Sequence, residues 1–332
     1  MSSRDETLAH KRVLITGANG GLGAATTVGA LKEGARVTLA CRTSAKAELA
    51  RDRAVAEAGV PGDRAVAAGG FDMLDPTAIE RAVATLPPDP FDVVFLQAGG
   101  WVWADAAQTV ELNGVTVERT VAKNVIGAHA TLRALLASGR VAPGARVVII
   151  GGEGARGVPG GIARPTFADL ADFERYLAGE WTGRSKYVPV DALGVSKFCA
   201  ALWSQHLARR GEDFEVVWFT PGLIGGTGGT AGMPAWQEFL FQRLAFPMLV
   251  LFGKAQWPAA AAAKCLDCLA GRVGSDGDML GSPEGKALGP LTDQKPMHPR
   301  FSEVAFQDAL WRACEAAAGA LPVPGAPTAV SA

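Results

Sequence analysis

The sequence predicts an α/β fold, a doubly wound parallel sheet in a single domain with an appended substrate lobe, and three observations carry it. Short apolar runs of buried-strand type recur at Arg12 to Ile15, Val37 to Ala40, Ala65 to Ala68, Val93 to Leu96, Val147 to Ile150 and Val216 to Phe219. Alanine-rich stretches of helical length separate them, and such alternation implies a parallel sheet covered on both faces. A glycine-rich turn, Thr16-Gly17-Ala18-Asn19-Gly20-Gly21-Leu22-Gly23, joins the first run to a helix-forming stretch containing Ala24, Ala25, Val28, Ala30 and Leu31.

That first strand, turn and helix form a phosphate-binding arrangement. Glycines let the backbone approach a pyrophosphate with no Cβ in the way, and a helix N-terminus offers unpaired N–H groups and a favourable dipole. A bare glycine pattern also fits a tight turn with no ligand, and the alternation that follows it favours the nucleotide. Each later strand ends on residues that carry chemistry: Cys41 and Arg42, then Asp72, then Gln97-Ala98-Gly99-Gly100, then Gly151-Gly152-Glu153, then Pro221-Gly222. Ligands of open α/β sheets bind outside the carboxyl ends of the strands, so these residues are expected around one crevice.

A further helix is marked by Phe198, Cys199, Leu202, Trp203 and Leu207; Leu193 and Lys197 lie four apart on one of its faces. Two longer segments interrupt the alternation and form the lobe. Gly154 to Pro189 contains Phe167, Phe173, Tyr176, Trp181 and Tyr187, and is expected to be a lid or wall. The second, Gly225 to Lys254, is richer still in aromatic and aliphatic side chains, from Trp236 to Phe252. With Trp101 and Trp103 these point to a bulky apolar pocket, core packing and a homodimer interface being the alternatives. Its longest apolar run falls far short of the roughly 20 residues that span a bilayer, so no transmembrane segment is expected. A peripheral membrane contact lacks the basic polar face it needs.

In order and spacing these residues resemble the short-chain dehydrogenase/reductase family, over roughly Lys11 to Gly281. Within it the chain looks most like the retinol dehydrogenase and light-dependent protochlorophyllide reductase branch. The closer likeness lies in Leu39-Ala40-Cys41-Arg42, Asn124-Val125-Ile126-Gly127, Ser196-Lys197-Phe198-Cys199, and Pro221-Gly222-Leu223-Ile224 followed by the apolar stretch from Phe239 to Lys254. The resemblance implies a Rossmann-type sheet and a nicotinamide cofactor. Gly17, Asn19, Gly21, Leu22 and Gly23 would cradle the pyrophosphate and Asp72 would sit against the adenine, unless it only caps the following turn. Gln97, Ala98, Gly99, Pro221 and Gly222 would complete the cofactor site, Gln97 replacing the usual asparagine. Arg42 stands where an acidic residue would otherwise bind the ribose hydroxyls. A guanidinium suits a 2′-phosphate, so NADP is preferred over NAD, a solvated surface arginine being the alternative.

The reaction centre departs from the family. Asn124 matches the asparagine that organises the proton relay, and Lys197 the lysine that grips the nicotinamide ribose. The serine position falls on Gly152, or on Glu153 if the alignment slips by one; the tyrosine position falls on Leu193. An isobutyl group transfers no proton, and general acid or base catalysis is worth about 10² to 10⁴ in rate. The substitutes in reach are Glu153, first by its strand-end position, and Tyr187, if its loop folds back; their alternatives are a solvated carboxylate and a ring packed on one face. Asp191 reads as a helix cap.

Composition narrows the function further. The net charge of −1 gives no case for nucleic acid or an anionic membrane surface. Five cysteines fit a reducing cytoplasm, and the Cys265/Cys268 spacing, with no second pair nearby, reads as helix packing and no metal site. The four histidines form no triad. Met1 to His10, polar and with no apolar run of signal type, is expected to be a flexible tail, residues 11–320 the domain, and Leu321 to Ala332 a loose tail. Three functions fit: an NADP-dependent oxidoreductase acting on a bulky apolar carbonyl or conjugated substrate, a cyclase, isomerase or dehydratase that keeps NADP as a structural element, and a catalytically silent NADP-binding protein.

Overall fold

The computed structural model describes residues 6–181, 187–225 and 235–322. Its main sheet has eight strands in the order β10-β9-β8-β7-β4-β1-β2-β3. They are β1 (Arg12–Thr16), β2 (Arg36–Ala40), β3 (Ala65–Ala68), β4 (Phe91–Leu96), β7 (Val141–Ile150), β8 (Phe214–Phe219), β9 (Met279–Gly281) and β10 (Thr292–Asp293), with β5 (Thr109–Leu112) and β6 (Val115–Glu118) forming a separate hairpin. Every pairing in the main sheet is parallel except β10 with β9. The Rossmann-type fold expected from the alternation is therefore present.

Strand periodicity explains the two cores. Leu14, Val94, Ile149, Val216 and Trp218 face one side, while their neighbours Ile15, Phe95, Val148, Val217 and Phe219 face the other. The first side is covered by α3 (Pro76–Ala84), α5 (Gly127–Ala137), α7 (Pro189–Arg209) and α11 (Val304–Ala318). The second is covered by α1 (Gly21–Lys32), α2 (Ser44–Ala58) and α10 (Pro258–Leu269). Burying one large apolar side chain is worth about 1.5–3 kcal/mol, so a sheet with both faces covered has no solvent side to spare for alternation with polar residues. The helix starts are equally local: Asp75 accepts from the Ala78 N–H at 2.8 Å with Pro76 in the first turn, and Gly59 closes α2 at φ +68°.

Some expectations change. Leu8 and Leu321 are both buried, so the folded region reaches beyond Lys11 and residue 320, and the tails are shorter than expected. The remaining tail residues, 1–5 and 323–332, lie outside the described residues, as do 182–186 and 226–234 of the two lobe segments. In the first of those segments, which includes α6 (Leu170–Leu177), Phe167 and Phe173 pack on Phe198 and Phe306, with ring centroids 4.9–6.4 Å apart. These rings belong to the main core and not to a pocket wall, because α7 and α11 leave an apolar gap there that only large side chains fill. The second segment behaves oppositely. Its helices α8 (Ala235–Leu240) and α9 (Phe246–Leu251), joined by a π turn at Phe241–Ala245, leave Trp236, Phe239, Leu244, Leu251 and Phe252 exposed. Among the described residues no helix is long and apolar enough to cross a membrane.

Candidate functional site

The sheet order reverses at β1, whose neighbours are β2 and β4, and the crevice between the carboxyl ends of β1 and β4 is the place where such sheets hold ligands. Gly17 leaves β1 at φ +68° with its N–H bonded to Ala40 O at 2.8 Å. A Cβ on Gly23 would lie 2.2 Å from Gln97 Nε2 and 2.5 Å from Gly17 O, so no side chain fits there. Gln97 thus supports the loop from below, donating to Gly17 O at 2.9 Å. Thr16, which the sequence reading passed over, fastens the two strand ends: its hydroxyl accepts from the N–H groups of Gln97 and Ala98 at 3.0 Å each. Helix α1 begins on Gly20 with no side-chain cap, and its first N–H groups open toward the crevice mouth.

Around this cradle lie the other expected cofactor residues. Arg42 follows β2 and is exposed; Asp72 follows β3 and accepts from the Leu74 N–H at 3.1 Å, capping its own turn. Gly222 adopts φ +104°, and Pro221 O accepts from Gln256 Nε2 at 2.6 Å, which ties the end of β8 to the start of α10. Asn124 sits in a π turn, Ala122–Ile126, between the short α4 (Arg119–Val121) and α5. Such turns concentrate at functional sites because they redirect a side chain without breaking the helix. Its Oδ1 accepts from the Gly100 N–H and its Nδ2 donates to Gly100 O, both at 2.9 Å. A second bond from Nδ2 reaches Thr120 O at 2.9 Å. Gly99 packs so tightly on this amide that an added Cβ would lie 2.3 Å from Asn124 Oδ1.

On α7, Lys197 donates from Nζ to Ile150 O at 3.4 Å and its stem passes Gly152, where a Cβ would stand 3.1 Å from Cγ. Burial pushes its ammonium down to about 8, with the Glu153 carboxylate acting in the opposite direction. Leu193 lies one turn earlier on the same helix, half-buried.

Glu153 does not reach into the crevice and is not solvated. It is buried; one oxygen accepts from Thr220 Oγ1 at 2.8 Å, the other from Ser282 Oγ at 2.9 Å and Ser282 N at 3.3 Å. Three donors converge on it, so it serves as an acceptor that braces the ends of β7, β8 and β9. Tyr187 is buried against Trp181, ring centroids 5.0 Å apart. Its hydroxyl lies toward Thr120 and Glu118, has no hydrogen-bond partner among the described residues, and is pushed up by burial and then by the Glu118 charge. Tyr187 itself thus faces the helix turn that precedes Asn124. Asp191 is no helix cap: it accepts from the Ala163 N–H at 2.7 Å, holding the turn bridged by Val158 and Ile162. Cys265 and Cys268 are buried in α10, their thiols pushed up by burial.

Residues 11–163 match the family model described as short chain dehydrogenase, a stretch that ends before Leu193 and Lys197. A probable oxidoreductase of Streptomyces antibioticus is 30% identical over 219 residues, 65% of each chain, so the match spans just under two thirds of that relative. Among solved structures, an uncharacterized protein of Mycobacterium paratuberculosis superposes with a TM-score of 0.64 at 22% identity, covering 96% of both chains. A short chain dehydrogenase of Burkholderia cenocepacia in complex with NADP gives 0.57 at 22%, over 85% of this chain and 99% of that one. With the cradle at the β1/β4 switch point, just under half of the chain, from β1 past β7, resembles the short chain dehydrogenase family, and the solved structures share its fold.

Proposed function

We propose that this chain is an NADP-dependent oxidoreductase acting on a bulky apolar carbonyl or conjugated substrate, with a proton relay that lacks the usual phenol. The observation that carries the reading is Lys197: an ammonium buried beside Ile150 O at the end of β7, two strands across the sheet from a glycine cradle in which Gly23 has room for no side chain. The cradle fits a dinucleotide, since Gly17 and Gly23 leave the backbone bare and α1 offers uncapped N–H groups to a pyrophosphate. Gly17, Asn19, Gly21, Leu22 and Gly23 would hold the phosphates, Arg42 the 2′-phosphate, and Asp72, Gln97, Ala98, Gly99, Pro221 and Gly222 the remaining edges. When bound, the nicotinamide supplies or accepts the hydride.

The chain's own groups supply the rest. Leu193 offers no proton, and Glu153 is occupied by Thr220 and Ser282. Lys197 is the acid left at this position. With its ammonium down at about 8 it is charged at neutral pH yet close to the range in which a general acid works best. Asn124, locked to Gly100 and Thr120, fixes the turn on the opposite side, and Tyr187 backs that turn as a neutral phenol. The stacked rings of Trp101 and Trp103, 5.5 Å apart after β4, favour a bulky apolar substrate. The likeness to the retinol dehydrogenase and protochlorophyllide reductase branch agrees with that class. Five buried, unpaired cysteines favour the cytoplasm.

The test is incubation of the purified protein with NADPH and a panel of bulky enones, ketones and cyclisation precursors, following nicotinamide absorbance and product mass together. Substrate-dependent loss of NADPH is expected. Product without that loss would make the chain a non-redox enzyme, and binding without product a silent NADP-binding protein.

A further inference from the structure

Lys123 precedes Asn124 in the π turn Ala122–Ile126. Its Nζ donates to Trp101 O at 3.1 Å and lies 3.8 Å from where a Cβ on Gly100 would stand. Because Asn124 binds both backbone groups of Gly100, the ammonium is held over the exit of β4 by the same turn that holds Asn124. The ends of β4 and β2 lie on either side of the end of β1, so Lys123 and Arg42, which follows β2, flank the same crevice.

The charges there are arranged against each other. Lys123 is half-buried, and its ammonium is pushed down by burial and then by the positive charges of Arg42 and Arg119, with Asp72 opposing. Arg119 is already engaged, donating to Gln108 Oε1 at 2.8 Å. Among the described residues, neither Lys123 nor Arg42 has an ion pair. Two cations that repel each other, one of them partly desolvated, are unfavourable alone and favourable around a shared anion. A phosphate monoester is an anion of the right kind: a guanidinium meets it as a fork and an ammonium as a point charge.

We propose that Lys123 is the second cation of the seat for the cofactor's 2′-phosphate, closing on it from the helix side while Arg42 closes from the sheet edge. This rests on the NADP reading above and goes beyond it by assigning selectivity to a residue outside the β2 end. A lysine there makes the preference for a phosphorylated cofactor depend on the π turn as well as on Arg42.

The experiment titrates the full chain and its Lys123→Met, Lys123→Arg and Arg42→Met variants with NADPH, NADH and adenosine 2′-monophosphate, following binding by calorimetry. Lys123→Met is expected to weaken NADPH and adenosine 2′-monophosphate about tenfold or more, the usual scale for losing one charge-assisted contact, while NADH is unchanged. Lys123→Arg should restore the preference, which also excludes a misfolded variant as the cause. Equal weakening of NADPH and NADH by Lys123→Met, or no change in either, overturns the proposal. If that happens while Arg42→Met still weakens NADPH alone, the NADP reading stands without Lys123. Wild-type protein with no preference for NADPH over NADH overturns both.

Discussion

Replacing Lys197 by methionine should make the folded protein more stable while removing its chemistry. The methylene stem is kept and the buried ammonium is lost. Its fall from an ordinary 10.5 to about 8 means the fold disfavours the charge, and at about 1.4 kcal/mol per tenfold change in proton affinity the cost at pH 7 has an upper bound of ~3 kcal/mol. Water reaching the partly exposed side chain reduces this to about 1–3 kcal/mol. The sign follows from the direction. Below about pH 8 both folded and unfolded chains carry the charge and the penalty is complete. Between about 8 and 10.5 the folded chain sheds its proton first, the unfolded chain binds more protons, and stability rises with pH; above 10.5 the penalty is gone. Urea denaturation of wild type and Lys197→Met at pH 7 and pH 10.5 measures this as a difference of differences, in which the titration of other groups cancels. The variant should be the more stable by about 1–3 kcal/mol at pH 7, and the gap should close at high pH. A gap that does not change with pH, or a variant less stable at both, would show that the ammonium is not held against its preference.

If Lys197 is the proton donor, as proposed, the rate of reduction should fall as pH rises through about 8, read from initial rates under saturating NADPH. Leu193→Tyr, which places a phenol one turn ahead of that lysine, should raise carbonyl reduction by about 10² or more if only the relay is altered; an unchanged rate would count against that view. Gly23→Ala should abolish or cut NADPH affinity at least tenfold, because its methyl would stand 2.2 Å from Gln97 Nε2 and 2.5 Å from Gly17 O, and retained binding in a fluorescence titration would argue against the cradle. Leu251, 76% exposed beside Phe252 at 66%, is expected at a homodimer contact. Leu251→Glu should then shift sedimentation toward the monomer, whereas an unaltered monomeric wild type would remove the contact.

Much of the fold is legible because the parallel strands are continuous apolar runs, buried on both faces, and because glycine and proline mark their ends. The hairpin β5-β6 also has a signal in the sequence: Asn113-Gly114 stands between alternating segments, and both residues adopt positive φ, +50° and +78°. What the sequence hides is where strand-end side chains point. Glu153 does lie at the end of β7, yet its direction is set by Thr220 and Ser282, which are 67 and 129 residues away. Lys123 is visible as a cation, but only the π turn turns it toward the end of β4. The aromatic rings of the two lobe segments look alike in sequence; the first set is buried because α7 and α11 leave it a gap, and the second is not because α8 and α9 have nothing packed on that face among the described residues.

The most direct test is isotopic. NADPH carrying deuterium at the transferable position of the nicotinamide should yield a reduced product from the bulky carbonyl or enone panel that is one mass unit heavier, made at the rate at which absorbance is lost. A product of unchanged mass, or no binding of NADPH at all, would contradict hydride transfer in a crevice built by Gly17, Gly23, Asn124 and Lys197.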